Sequence, residues 1–209
     1  MKTSKAGGII LKRRIAGIIL IVVGLAVIGT AFFMRYSAEK RQKDMLNAFE
    51  NTLQQVDKAQ ETNSNNESTP NIKPPTEDVN GAIGIMKIPK IDLKVAIGEG
   101  VDNNTLKYAV GHFEGTAMAG EKGNFAVAGH RSYTYSEYFN RLDEVNIGDE
   151  IIVKTKKGEF TYKVNEKKVV EPTEVSVLDK TKDATITLVT CTPIRVATHR
   201  LIIKGKLVQ

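Results

Sequence analysis

One cysteine, three histidines and two arginines near the C-terminus are the side chains through which this chain could do covalent chemistry. Cys191 is the only cysteine among 209 residues. It therefore has no intramolecular disulfide partner and cannot supply a cysteine-rich zinc site. A buried apolar thiol, an intermolecular cross-link and a nucleophile remain as its uses. Cys191 closes the run Thr185, Ile186, Thr187, Leu188, Val189, Thr190, Cys191. The β-branched residues of that run predict a buried strand ending at the thiol, and Pro193 opposes continuation of the ladder. A thiol at such a strand end can meet a substrate while its backbone stays fixed.

A thiol attacks as its thiolate, and acyl transfer needs a proton carrier titrating near neutrality, which points to histidine. His130 follows Phe125, Ala126, Val127, Ala128 and Gly129, an apolar strand that ends, with glycine freeing the backbone, at a polar head. His112 follows Gly111 and precedes Phe113, and reads as a loop residue that packs or hydrogen-bonds. His199 adjoins Arg200, and in a strand these two point to opposite faces. Acyl transfer also places negative charge on a carbonyl oxygen, which a fixed cation stabilises. If 184–191 and 199–204 pair as antiparallel strands, Arg200 lies almost opposite Cys191, while Arg195 falls in the intervening loop. Taken alone, these residues leave a nucleophile and a core thiol both open.

The elements that must position them occupy only part of the chain. Residues 15–34 are twenty uncharged residues, bracketed by Lys12, Arg13 and Arg14 before and Arg35 after. At 1.5 Å per residue such a helix spans roughly 30 Å, the thickness of a bilayer core, and exceeds the ~7–15 apolar residues of a cleaved signal. The expected organisation is a short N-terminal segment over 1–14, a single transmembrane helix over 15–34, a juxtamembrane helix and disordered linker over 35–80, and a folded domain over 81–209. Met45, Phe49, Leu53 and Val56 give the juxtamembrane part a helical spacing, whereas 63–80 hold almost nothing to bury. Basic residues flank the apolar run on both sides, so the positive-inside rule biases its orientation only slightly.

The net charge of +6 divides evenly, with 11 basic and 8 acidic residues over 1–80 and 19 and 16 over 81–209. Neither part carries a basic stripe with interleaved aromatics, so no nucleic acid is expected as a partner. From Ala82 onward short apolar runs alternate with Gly, Pro, Asn and Asp, the texture of an all-β barrel or sandwich. Strands are expected at 83–88, 93–97, 124–128, 150–155, 159–170, 184–191 and 199–204. Turns fall at Gly148–Asp149 and Lys157–Gly158, and short helices at 105–110 and 135–141. Glu137, Asp143, Glu144, Glu171 and Glu174 match no calcium-loop spacing and read as solvated surface, so no metal or other cofactor is expected.

The strand ending Ala128-Gly129-His130, the string Thr187-Leu188-Val189-Thr190-Cys191 and a following strand with Arg200 together resemble the sortases, as do the N-terminal anchor and polar linker. The resemblance covers about residues 82–207. It implies a closed eight-stranded β-barrel with short helices and a cysteine transpeptidase. Such an enzyme cleaves an LPXTG-like sorting signal between Thr and Gly and joins the protein, through a thioacyl-enzyme, to a cell-wall amine or a pilin lysine. The implied partners are surface-protein substrates and a cell-wall precursor amine, at the membrane of a Gram-positive cell with the domain outside. By the same resemblance Cys191 is the nucleophile and His130 the acid and later the base. Arg200 steadies the oxyanion or substrate, Thr190 adds a donor to the oxyanion, and His112 and His199 are structural.

Thr192-Pro193 and Val110 to Phe113 look class D-like more than class A-like. No class C acid and aromatic lid pattern precedes the domain, which favours anchoring over pilus assembly. Papain-like enzymes place cysteine before histidine, and L,D-transpeptidases carry a Ser-His-Gly-Cys type string; neither pattern occurs here. The alternative from another class is a membrane-tethered, non-catalytic β-domain that binds a surface partner.

Overall fold

The computed structural model describes residues 4–62, 81–131 and 136–208. Two compact units divide the chain, 1–37 and 38–209. The first is part of helix α1, Ser4–Thr62. This helix is long and apolar enough to cross a membrane, its most apolar window having a mean hydropathy of 2.7 with none of it buried. Its side chains from Ile15 to Phe33, Leu20 and Phe32 among them, are exposed.

In the second unit, eight strands close into a barrel: β1 Ala82–Ile88, β2 Leu93–Glu99, β3 Val110–His112, β4 Gly123–Ala128, β5 Glu150–Thr155, β6 Gly158–Val170, β7 Ala184–Thr192 and β8 His199–Leu207. Their order around it is β1-β2-β3-β4-β7-β8-β6-β5. The β2–β3 and β4–β7 pairs are parallel and the other pairs antiparallel. Closure leaves no edge strand, so every strand finds ladder partners on both sides. Alternate residues turn inward: Val95 and Ile97 from β2, Phe125 and Val127 from β4, Ile186 and Leu188 from β7, and Leu201 and Ile203 from β8 share one buried cluster, as the period of two demands.

The all-β expectation holds, with the seven anticipated strands found within a few residues of their expected bounds. An eighth, β3, replaces the loop expected around His112. Its three residues are too few to show a periodic pattern, and its extended shape comes from lying between β2 and β4. The first short helix, α2, runs over Asn103–Tyr108 rather than 105–110, because the Asp102 carboxylate caps it by accepting from the amides of Asn104 and Thr105. A bond from the Thr105 hydroxyl, followed by those two amide bonds, holds the Asp102 carboxyl below its usual pKa. The helix expected over 135–141 is not found over its described part. Residues 138–141 form turns leading into a 3-10 turn at Leu142–Glu144; Tyr135 lies outside the described residues, as does the linker 63–80.

Packing onto the barrel begins well before residue 81. Ala38, Met45, Phe49 and Leu53 of α1 are buried. Met45, Phe49 and Leu53, spaced i, i+4, i+8, sit against Ala82, Ile85, Ala96 and Ala109 on the outer surface of β1, β2 and the end of α2. The expected helical spacing is thus real and faces protein. Val56, fourth in the series, has a side chain outside the described residues. Around this seam, Lys94 Nζ lies 2.6 Å from Glu50, Gln42 donates to the Lys94 carbonyl, and the Arg41 guanidinium stacks 5.0 Å over the Tyr108 ring.

Candidate active site

Three strand ends converge at one rim of the barrel. In the antiparallel β7–β8 ladder Cys191 pairs directly with Arg200, and Thr192 with His199. Ile186 and Leu188 face inward, so Cys191, in the opposite phase, projects outward; Leu201 and Ile203 give Arg200 the same outward phase. The thiol and the guanidinium-bearing residue are therefore cross-strand neighbours on one face. Cys191 is partly buried and carries a free thiol. The Arg200 guanidinium is tethered through Nη1, which donates to the carbonyls of Ala197 at 3.2 Å and His199 at 3.0 Å. Between the two strands the chain turns through Thr192–Pro193, whose peptide bond is cis, and through Arg195 and Ala197 at positive φ.

His130 arrives on β4. The parallel β4–β7 ladder runs to Ala128 opposite Val189, and the Gly129 amide donates to the Val189 carbonyl at 3.1 Å. Two residues beyond the last pair on each strand stand His130 and Cys191. The His130 carbonyl accepts from the Phe139 amide at 3.1 Å, which fixes the backbone on its far side. Partial burial pushes the imidazole below its ordinary pKa, because desolvation penalises its charged form.

Gly129 serves this site differently from the expectation. It has no positive φ, so conformational freedom does not explain it. Space does: a Cβ at 129 would lie 2.6 Å from the Phe139 ring. The glycine lets that buried ring close over the segment carrying His130.

Thr190 also has a different use from the expected oxyanion donor. It is buried, and its hydroxyl donates to the Gly129 carbonyl at 2.7 Å. The side chain ties the cysteine strand to the histidine strand from inside the barrel, with its proton committed to that bond.

Of the other histidines, His112 is buried on β3. Its Nδ1 lies 3.0 Å from both Glu99 carboxylate oxygens, its Nε2 meets Thr116 and Ala117, and its ring stacks on Phe125. His199 is half exposed and pairs with Glu171 at 3.1 Å. Both are held by partners of their own, away from the Cys191–Arg200 pair in phase or in strand. Four of the five carboxylates weighed for calcium have partners of their own: Asp143 pairs with Arg131, Glu144 with Arg141, Glu171 with His199, and Glu174 with the Ser176 hydroxyl.

One residue at the rim escaped the sequence reading. Arg131, next to His130, has a side chain only 5% exposed and lies 2.7 Å from Asp143; it also bonds Thr192. A charge following an apolar strand was visible, but partners twelve and sixty-one residues away were not.

Known proteins share this fold. Residues 86–208 match the family model of the Sortase domain. The chain is 32% identical over 130 residues to Sortase A of Listeria monocytogenes, a match that covers 62% of this chain and 58% of that protein, less than two thirds of its length. It is 28% identical over 199 residues to Sortase D of Bacillus subtilis, covering 93% of this chain and 98% of that one. Among solved structures, that of a Clostridium perfringens Sortase D5 transpeptidase aligns with a TM-score of 0.66 at 31% identity, covering 82% of this chain and all of the other. With more than half of its length inside the Sortase domain model and a closed eight-stranded barrel matching that of solved sortases, this chain belongs to the sortase family.

Proposed function

We propose that this protein is a cysteine transpeptidase that cleaves an LPXTG-like sorting signal between Thr and Gly and joins the new carboxyl end to a cell-wall amine. The observation that carries the reading is the β7–β8 register that sets Cys191 opposite Arg200 at the rim where β4 delivers His130.

In this reading the Cys191 thiolate attacks the threonine carbonyl carbon, and the oxygen takes up the negative charge beside the Arg200 guanidinium. Collapse breaks the C–N bond while His130 gives its proton to the departing glycine amine, leaving a thioacyl-enzyme. An incoming amine attacks that thioester, His130 accepts its proton, and the Cys191 thiolate leaves. The segment 171–183 sets the specificity for the sorting signal. Helix α1 anchors the protein in the membrane by a single pass over 15–34, with residues 1–14 cytoplasmic and the barrel outside.

The test is incubation of the full-length protein in detergent with an LPXTG peptide and a free amine, followed by mass spectrometry. A thioacyl adduct on Cys191 and an amine-exchanged peptide are expected. Absence of both across several sorting-signal variants overturns the reading and favours a tethered binding domain.

A further inference from the structure

Arg131 takes no part in the proton transfers or charge stabilisation just described, yet its guanidinium is nearly sealed from solvent. Its three nitrogens are directed to three places. Nη2 lies 2.7 Å from Asp143 Oδ1, Nε donates to the Asn140 carbonyl at 3.2 Å, and Nη1 donates to Thr192 Oγ1 at 2.9 Å. A buried guanidinium is tolerated only when its donors are met. A fork that reaches a carboxylate, a carbonyl and a hydroxyl at once is a property of arginine and not of lysine.

The sequence positions of these contacts give them meaning. On the inner side of the His130–Cys191 pair, toward the barrel, the Thr190 hydroxyl reaches the Gly129 carbonyl; on its outer side, toward the rim, Arg131 reaches the Thr192 hydroxyl. One cross-strand bond therefore joins the residues immediately before His130 and Cys191, and a second joins the residues immediately after them. The inner bond runs beside the backbone bond from the Gly129 amide to the Val189 carbonyl. The outer one lies past the end of β4, where no ladder holds the histidine segment, and it is anchored in turn to Asp143 in the 3-10 turn and to the Asn140 carbonyl.

We propose that Arg131 is a positioning residue that sets the separation of His130 from Cys191 by closing the outer side of this frame, an inference that rests on the transpeptidase reading above. It touches neither substrate nor the reacting atoms. Removing the outer bond leaves the barrel intact and lets the imidazole drift from the thiol, and displacements of about 1 Å between reacting groups cost on the order of 100-fold in rate.

Thr192→Val tests this with the least disturbance, because it deletes only the hydroxyl that Arg131 reaches; Arg131→Lys keeps the charge and loses the fork. Both are made in the full-length protein in detergent, with unfolding midpoints recorded alongside. Two quantities are read: kcat and KM for amine exchange on an LPXTG peptide, and the pH profile of Cys191 alkylation by iodoacetamide, which needs no substrate. His130→Gln marks the part of that profile that depends on the histidine. For Thr192→Val the proposal expects a modestly lowered unfolding midpoint, because one donor of the buried guanidinium loses its acceptor, with the protein still fully folded under the assay conditions. It expects kcat to fall about 10- to 100-fold with KM little changed, and the histidine-dependent part of the profile to shrink toward that of His130→Gln. Wild-type kcat and profile in both variants, or a rate loss that merely follows the unfolded fraction, overturns it. If the profile shifts as expected while the unsubstituted protein exchanges no peptide, the positioning role stands and the transpeptidase reading fails.

Discussion

Cys191 and Arg200 face each other directly across the β7–β8 ladder, on the outward phase of both strands. The cation is thus placed by backbone register, and its guanidinium is further held by the Ala197 and His199 carbonyls. Arg195 belongs to the turn between the strands. Arg200→Ala is expected to lower kcat/KM for peptide cleavage by roughly 100- to 1000-fold, the scale of losing one oxyanion-stabilising group, and Arg195→Ala to change it far less. Steady-state kinetics on the two variants check this, and the reverse ranking would mean that the loop arginine carries the charge.

Gly129 makes a second expectation. Because a Cβ there meets the Phe139 ring at 2.6 Å and Phe139 is fully buried, Gly129→Ala forces ring or backbone to move. Overpacking of this kind costs about 1–3 kcal/mol, and the displaced segment is the one bearing His130. Thermal unfolding should register the loss. The double variant Gly129→Ala/Phe139→Leu, with a smaller neighbour, should recover part of the activity lost in the single variant.

The pH behaviour of His130 follows from its burial. Its folded pKa lies below the ordinary imidazole value of 6.5, so the neutral ring predominates at pH 7 and the proton-donating form is the minor one. The unfolded chain binds the proton more readily in the interval between the folded pKa and 6.5. Stability therefore rises with pH across that interval, and the His130 penalty is absent above it and complete below the folded pKa. NMR titration of the ring should give a midpoint below 6.5. Between pH 7 and the folded pKa, urea denaturation should show the unsubstituted protein losing more stability than His130→Gln; equal losses would refute the assignment of the shift to burial.

What was legible in the sequence was whatever a local pattern encodes. The run Thr185 to Cys191 announces its strand through β-branched residues, and its short loop to His199 makes antiparallel pairing, and so the Cys191–Arg200 alignment, nearly unavoidable. Strand β3 was hidden because three residues show no period and their extension is imposed by β2 and β4. Arg131 was hidden for a related reason. Its role is defined by Asp143 and Thr192, which reach it only through the closure of the barrel. Gly129 was recognised as special but for conformational freedom, since a close approach by Phe139 leaves no local trace.

The helical seam beside the barrel supports a last prediction. Phe49 is fully buried among Met45, Leu53, Ile85, Ala96 and Ala109, whereas Lys40, on the same helix, is exposed. If 38–53 is part of the folded unit, Phe49→Ala removes an aromatic ring from a packed interface and should destabilise that unit by about 3–5 kcal/mol, the range for deleting buried aromatics. Lys40→Ala, at a surface position, should alter stability by no more than about 0.5 kcal/mol. The measurement is guanidinium unfolding of the full-length protein in detergent, followed by tyrosine fluorescence, since the chain has no tryptophan and Tyr162 reports from inside the barrel. A barrel midpoint insensitive to Phe49→Ala would show that the helix rests on the barrel without contributing to its stability, and would reduce the seam to a tether.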